Sequence, residues 1–375
     1  MKSSRRTLAY NCDPSYELVV TSLGADIMIR AITFFTGRIE TLQDAENELK
    51  IAEDVLTRVE KALKEYGYGV FTKRISLPGG SRELAYRLVD RVSKDVLVSI
   101  GYSKALKPTD VVNLATSGLY VPLLHAKEPN VDDAKTYSQI FHDASLKDPV
   151  FATRIAIGFH DEDFQTPYFP DSSSKGLRAI GLALLYPRYL VKLVRSGLSL
   201  GKSFERVFSE VEKVASIVKS ISQLPVVVDY SLSPWMDNSV AELYSVIECP
   251  LLEPGAQYCT WLMNRYIQKC SDQRLRTGFN EVMLPYAEDL TLVEYGASGL
   301  IRARDFLAYA ATCVAGLDMV VVPENREMFT QLVASTMAVA YVKSRPLALR
   351  AIPVTGNPGD IVDLKRFGKV PVIPY

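Results

Sequence analysis

The 375-residue chain is 48% hydrophobic and carries 43 basic against 43 acidic residues, for a net charge near zero. This supports one or two sizeable cores, and the lack of a basic field argues against nucleic acid or an anionic membrane as partner. The most apolar run, residues 308–322, contains Asp318 and stops at Pro323, short of a clean membrane span. Asn11, Cys12 and Asp13 stand where a signal peptide needs its apolar core, so the expected location is the cytoplasm.

In chain order, apolar β-type runs fall at 27–35, 69–77, 96–101, 150–159, 177–184, 225–232, 281–285, 319–322 and 347–353. Helical patterns lie between most of them, which predicts parallel strands joined by crossover helices. The clearest helices are 42–66, with Thr41 as N-cap and Gly67 as stop, and 203–224, with one apolar stripe. So many strands suggest a closed barrel or a long sheet. No Gly/Ser linker divides residues 27–375, which read as a single domain behind an N-terminal extension of residues 1–26. Cys12, Cys249, Cys259, Cys270 and Cys313 form no CxxC pair and are expected as free thiols. His125, His142 and His160 are too widely spaced for a histidine metal motif.

Arginines recur inside the β-type runs: Arg30 in "IRAI", Arg74 in "FTKRISL", Arg154 in "TRIAI", and Arg178 and Arg350 in two copies of "LRAI". Strand side chains alternate faces, so Phe71, Ile75 and Leu77 can pack on outer helices while Arg74 and Ser76 face inward. A buried guanidinium needs carboxylates or a bound anion around it. The competing reading is chance recurrence, or arginines at strand ends reaching solvent.

Candidate chemistry gathers where runs end. In "VVVDYSLSPWMDNSVAELY", Asp229 shares a face with Ser231, and Asp237, Asn238 and Ser239 open a helix, where free N–H groups can be capped or hold an anion. In "IGFHDEDFQTPYFPDSSSKG", His160 is followed by Asp161, Glu162 and Asp163, which could serve as acid or base or offer oxygen ligands to Mg²⁺. "GFNEVMLPYAEDL", "GLDMVVVPEN" and "RAIPVTGNPGD" also end in polar groups. No GxSxG elbow, P-loop or GxGxxG fingerprint is present.

Together "IRAITFFTG", "TKRISLP", "VDYSLSPWMDNSVAE", "FNEVMLPYAED", "AATCVAGLDMVVVPEN" and "IPVTGNPGDIVDL" occur in an order that resembles the family called domain of unknown function 711, or uncharacterised protein family 0210. The resemblance runs from about Ile27 onward and implies an α/β fold: one large barrel of about ten strands, mostly βα units, similar to that of pyruvate formate-lyase-type glycyl radical enzymes. It implies no glycyl radical here, because residues 350–356 do not fit the glycyl loop and neither Cys259 nor Cys313 lies on a recognisable thiol loop. The chain departs from many family members at "NLATSGLYVPLL" and at the TPYFP loop.

The leading expectation is an enzyme, of hydrolase or lyase type, acting on a small anionic metabolite inside the barrel. Arg74, Ser76, Arg30, Arg154, Arg350, Ser231 and Asn238 would bind it, and Asp229, His160 and Asp163 would supply acid–base groups or, with Mg²⁺, metal ligands. The alternatives are a metabolite-binding or regulatory protein without turnover, and a structural oligomer stiffened by arginine ion pairs. The expected partners are the anionic ligand and further copies of the chain.

Overall fold

The structure is a computed structural model and describes residues 27–80, 82–88, 95–103, 106–314 and 316–375. The N-terminal extension and Cys12 lie outside the described residues. The chain is mixed α/β, with mainly parallel strands alternating with helices. Nine strands carry the architecture: β1 (Met28–Phe35), β2 (Val70–Ser76), β3 (Val96–Ser99), β4 (Val121–Leu124), β5 (Ile155–Phe159), β6 (Ala179–Leu185), β7 (Val226–Asp229), β8 (Leu317–Pro323) and β9 (Leu347–Val354). A five-stranded sheet has the order β3-β2-β1-β6-β7 and a four-stranded sheet the order β4-β5-β9-β8. A small two-stranded ladder pairs Ile361–Asp363 with Lys369–Pro371.

Within these sheets β1, β2 and β3 run parallel, as do β4 and β5, β6 and β7, and β8 and β9. Two antiparallel seams join them, β1 to β6 and β5 to β9.

Local sequence explains the elements. Thr41 and Asp44 form a reciprocal capping box at the start of helix Leu42–Glu65, whose Leu49, Val55, Leu56 and Leu63 make the buried stripe. Helix Leu200–Ser222 buries Phe204, Val207, Phe208, Val211 and Val214 in the same way. The expected strand at 150–159 is shorter than its apolar run, because Asp148 caps and Pro149 opens a helical turn, Pro149–Ala152. β4 escapes sequence reading because it is four residues long and contains Pro122. The expected strand at 281–285 is reduced to isolated bridging at Val282, which pairs in parallel with Leu232, and at Met283.

The two faces of the sheets differ. Outward side chains such as Ile29, Ile32, Phe34, Ile75, Leu182 and Val228 pack with the helices in the main core. On the other face Ala31, Ala183, Ala348, Phe279, Met283 and Val314 form a separate small cluster around Tyr168 and Phe164 of the loop after β5. Small strand residues leave the room that this loop fills. A Cβ at Gly181 would sit 2.5 Å from the Phe35 ring and 3.2 Å from Pro167. Gly181→Ala is therefore expected to overpack the interior and cost about 1–3 kcal/mol, read as a lower urea midpoint with an unchanged denaturant slope.

One cysteine expectation is corrected. Cys249, just past helix Val240–Val246, and Cys259, in the first turn of helix Ala256–Cys270, form a disulfide across a Cα separation of 6.5 Å, because the intervening turn folds one back on the other. Cys270 and Cys313 take part in no disulfide among the described residues. Among the described residues, no helix is long and apolar enough to cross a membrane.

Candidate functional site

Two strand irregularities present charge to the interior. Register shifts fall between Ile29 and Ala31 in β1 and between Asp318 and Val320 in β8. Such bulges re-aim side chains, and here they flank Arg30 and Asp318. Glu288, 2% exposed on the short helical turn Tyr286–Glu288, receives Arg30 on Oε2 and Arg350 on Oε1, the latter at 2.9 Å. Arg350 also donates to Asp318 through Nε (2.6 Å) and Nη2 (2.9 Å). Burial alone would raise the Glu288 pKa, but Arg30 and Arg350 more than offset it and hold the carboxyl at about 2. Arg30 donates in addition to the Pro234 carbonyl and lies over the rings of Trp235 (5.3 Å) and Tyr168 (5.7 Å). Arg30 and Arg350 are thus neutralised by Glu288 and Asp318.

Arg74 is not. Its guanidinium, equally buried on β2, donates to Thr72 Oγ1 (3.0 Å) and to the Pro167 carbonyl (3.1 Å) and lies 5.1 Å over Phe169. Among the described residues it has no carboxylate partner. Burial, and next the positive charge of Arg30, pull its pKa down to about 9, so it stays charged at neutral pH without a counter-ion. Asp171 is its complement. It is a buried carboxyl whose Oδ1 has no hydrogen-bond partner, pushed up to about 7 by burial and then by the Asp318 charge, against the pull of Arg350. Such a group gains and loses a proton near neutrality.

The loop after β5 ties these parts together. Its Pro167 carbonyl accepts from Arg74 and Thr33, Ser172 Oγ donates to the Thr166 carbonyl at 2.6 Å and lies 2.9 Å from Ser76 Oγ, and Ser174 Oγ donates to the Thr36 carbonyl. His160 opens the loop. Burial lowers its pKa to about 4, so the ring is neutral, with Nδ1 at 2.9 Å from the Asp161 carbonyl and Nε2 at 2.8 Å from the Tyr102 hydroxyl. That hydroxyl donates its proton to the Asp171 carbonyl at 2.6 Å.

The expected site residues divide accordingly. Arg30, Arg74, Ser76 and Arg350 face one interior, with His160 at its edge. Asp229 and Ser231 build a separate knot: the fully buried Asp229 carboxylate accepts from Thr166 Oγ1, Ser231 Oγ, and the backbone N–H groups of Ser231, Phe279 and Asn280. Burial raises its pKa, and these donors pull the other way. Among the described residues Asp229 pairs with no guanidinium, and both its oxygens accept hydrogen bonds. Arg154 precedes β5 instead of lying within it, is half-exposed, and donates to the Ala115 carbonyl. Arg178, exposed before β6, pairs with Glu48. Asn238 accepts from the Arg188 N–H in the turn before Ser239, which caps helix Val240–Val246.

Asp163 is exposed, as are Asp161 and Glu162. Among the described residues, no group of three or more His, Cys, Asp or Glu side chains is placed to hold a metal ion. The three atoms nearest the side-chain position of Gly356 all belong to Asp360, and no cysteine is among them. The residues missed as individual candidates are Glu288, Asp318, Asp171 and Tyr168. Each stood in a polar-ended motif, and the signal available was an acid or hydroxyl set within otherwise apolar sequence.

The model of the uncharacterised ACR family DUF711 matches residues 126–365. A UPF0210 protein of Pyrobaculum arsenaticum is 26% identical over 386 residues, covering 96% of this chain and 81% of the relative. UPF0210 proteins of Lacticaseibacillus paracasei and Methanocaldococcus jannaschii are each 24% identical, over 90% of this chain and 87% and 76% of their own lengths. With the family model spanning well over half of its length, the chain belongs to the uncharacterised DUF711 (UPF0210) family.

Proposed function

We propose that this protein is an enzyme that binds a small anionic metabolite in the interior between its sheets and acts on it by proton transfer, in a hydrolase- or lyase-type reaction. The observation that carries this reading is the buried Arg74 guanidinium, which lacks a carboxylate where Arg30 and Arg350 have theirs. A phosphate or carboxylate group of the ligand would supply the missing charge. Asp171, with one unpartnered oxygen and a pKa of about 7, would be the acid–base group.

The same reading includes closure of the sheets into one barrel of about ten strands. Three observations favour it. A parallel bridge from Ser99 to Tyr120 links the end of β3 to the start of β4, which sets β1 to β5 side by side in order. Val282 bridges to Leu232 beyond β7, and Val314, just before β8, donates to the Val282 carbonyl at 3.1 Å. The seams β1–β6 and β5–β9 would then join two parallel halves.

The test is thermal stability against a panel of phosphate monoesters and small mono- and dicarboxylates. A ligand at a hundredfold its dissociation constant adds about 2.7 kcal/mol. Arg74→Met is expected to abolish that stabilisation, and an unchanged response would overturn the anion site. Asp171→Asn is expected to retain binding and lose conversion of the ligand, followed by NMR. Binding without conversion in the unaltered protein would identify a metabolite binder instead.

A further inference from the structure

A cleft of about 270 Å³ lies apart from the arginine cluster, between helix Val131–Lys147, the segments that follow β8 and β9, and the strand Ile361–Asp363. It is slightly smaller than the roughly 300–1,000 Å³ of most small-molecule sites, which fits a short ligand. Its one acidic lining residue among those described is Glu324. One oxygen of that carboxylate is bonded to His142 Nε2, and the other accepts from Thr355 Oγ1 at 2.9 Å. These two hydrogen bonds, His142's first, lower the Glu324 pKa and keep the group ionised.

His142 Nδ1 faces Arg326 Nη2 at 3.5 Å. The Asp143 carboxylate, 3.8 Å from the same nitrogen, is beyond hydrogen-bonding range. Ser145, one helical turn after His142, lines the cleft with a buried hydroxyl that has no partner. A purely structural His–Glu pair would need neither an open cleft nor an unsatisfied hydroxyl beside it.

We propose that this cleft binds a small aliphatic ammonium compound. A primary ammonium has three N–H donors, and Glu324, Thr355 and Ser145 offer three oxygen acceptors around one carboxylate charge. Leu146 and Ile361, exposed at 60% and 56%, form an apolar rim for a short hydrocarbon chain. An anion of the same size would meet Glu324 as a like charge.

The probe is n-butylammonium chloride, titrated into the full-length protein by calorimetry, with sodium butyrate and n-butanol as controls of equal length. The expected result is saturable binding of the ammonium alone, weakened at least tenfold by Glu324→Gln. Leu146→Trp, on the exposed rim, is expected to block the cleft without disturbing the fold and serves if Glu324→Gln proves unstable. Equal binding of butyrate, undiminished binding in Leu146→Trp, or no saturable binding to the folded protein would overturn the assignment.

Discussion

Replacing Glu288 with glutamine is expected to destabilise the protein by about 3–5 kcal/mol, the usual consequence of removing one member of a buried ionic cluster. The loss comes less from the attraction removed than from what stays behind. The glutamine carbonyl could accept from only one of Arg30 and Arg350 and would carry no charge, so the other would lose its partner at this position and both would lose a counter-charge, inside an interior that cannot hydrate them. Urea unfolding at neutral pH measures the effect. Acid titration gives an independent check. The folded-state pKa of Glu288, about 2, lies below the ordinary carboxylate value. Its stabilisation is therefore complete above the unfolded-state pKa of about 4.3 and disappears as the pH falls through about 2. The glutamine variant should show a flatter loss of stability across that window. An unchanged acid limb would mean that Glu288 does not carry the cluster.

Asp229→Asn is expected to cost about 1–3 kcal/mol. The change conserves shape but turns one acceptor oxygen into a donor, which on the Oδ2 side would face the Phe279 N–H at 2.8 Å and on the Oδ1 side the Asn280 N–H at 3.1 Å. Each buried donor left unsatisfied costs about 1–3 kcal/mol. Gly278 makes the site unforgiving: its φ of +74° and the Asp229 carboxylate packed against its side-chain position leave the turn no room to rearrange. Hydrogen exchange should show amides 278–281 losing protection before the rest of the sheet. If protection there is unchanged while ligand conversion falls, Asp229 acts on the substrate and not on the turn.

Much of the architecture was legible because it follows from periodicity. The capped helix at 42–65, the apolar stripe of helix Leu200–Ser222, and all the longer strands announce themselves in residue pattern. The inward face of β2 was equally readable, since Arg74 and Ser76 alternate with Lys73 and Ile75. Pairing across long sequence distances was not. Nothing local tells Arg350 to find Asp318 on the neighbouring strand and Glu288 on a turn 62 residues earlier. Asp229 misled for the opposite reason: a carboxylate at a strand end suggests chemistry, whereas here it accepts the N–H groups of a turn 50 residues away. The bulges beside Arg30 and Asp318 shift the face count by one, which strict alternation cannot anticipate.

The two antiparallel seams bear on how the chain assembles. Strands β1 to β3, and β4 with β5, pair with near neighbours in sequence, so this half can organise while the remainder is still being synthesised. The free edge of β1 must then wait for Ala179–Leu185, and that of β5 for Leu347–Val354, nearly 190 residues on. Until then the nascent chain carries two open strand edges able to pair with another molecule, and the loop after β5 must take its place before the last seam forms. A ribosome stalled between β6 and β9 would thus release a fragment prone to aggregate, whereas one stalled after β9 would not.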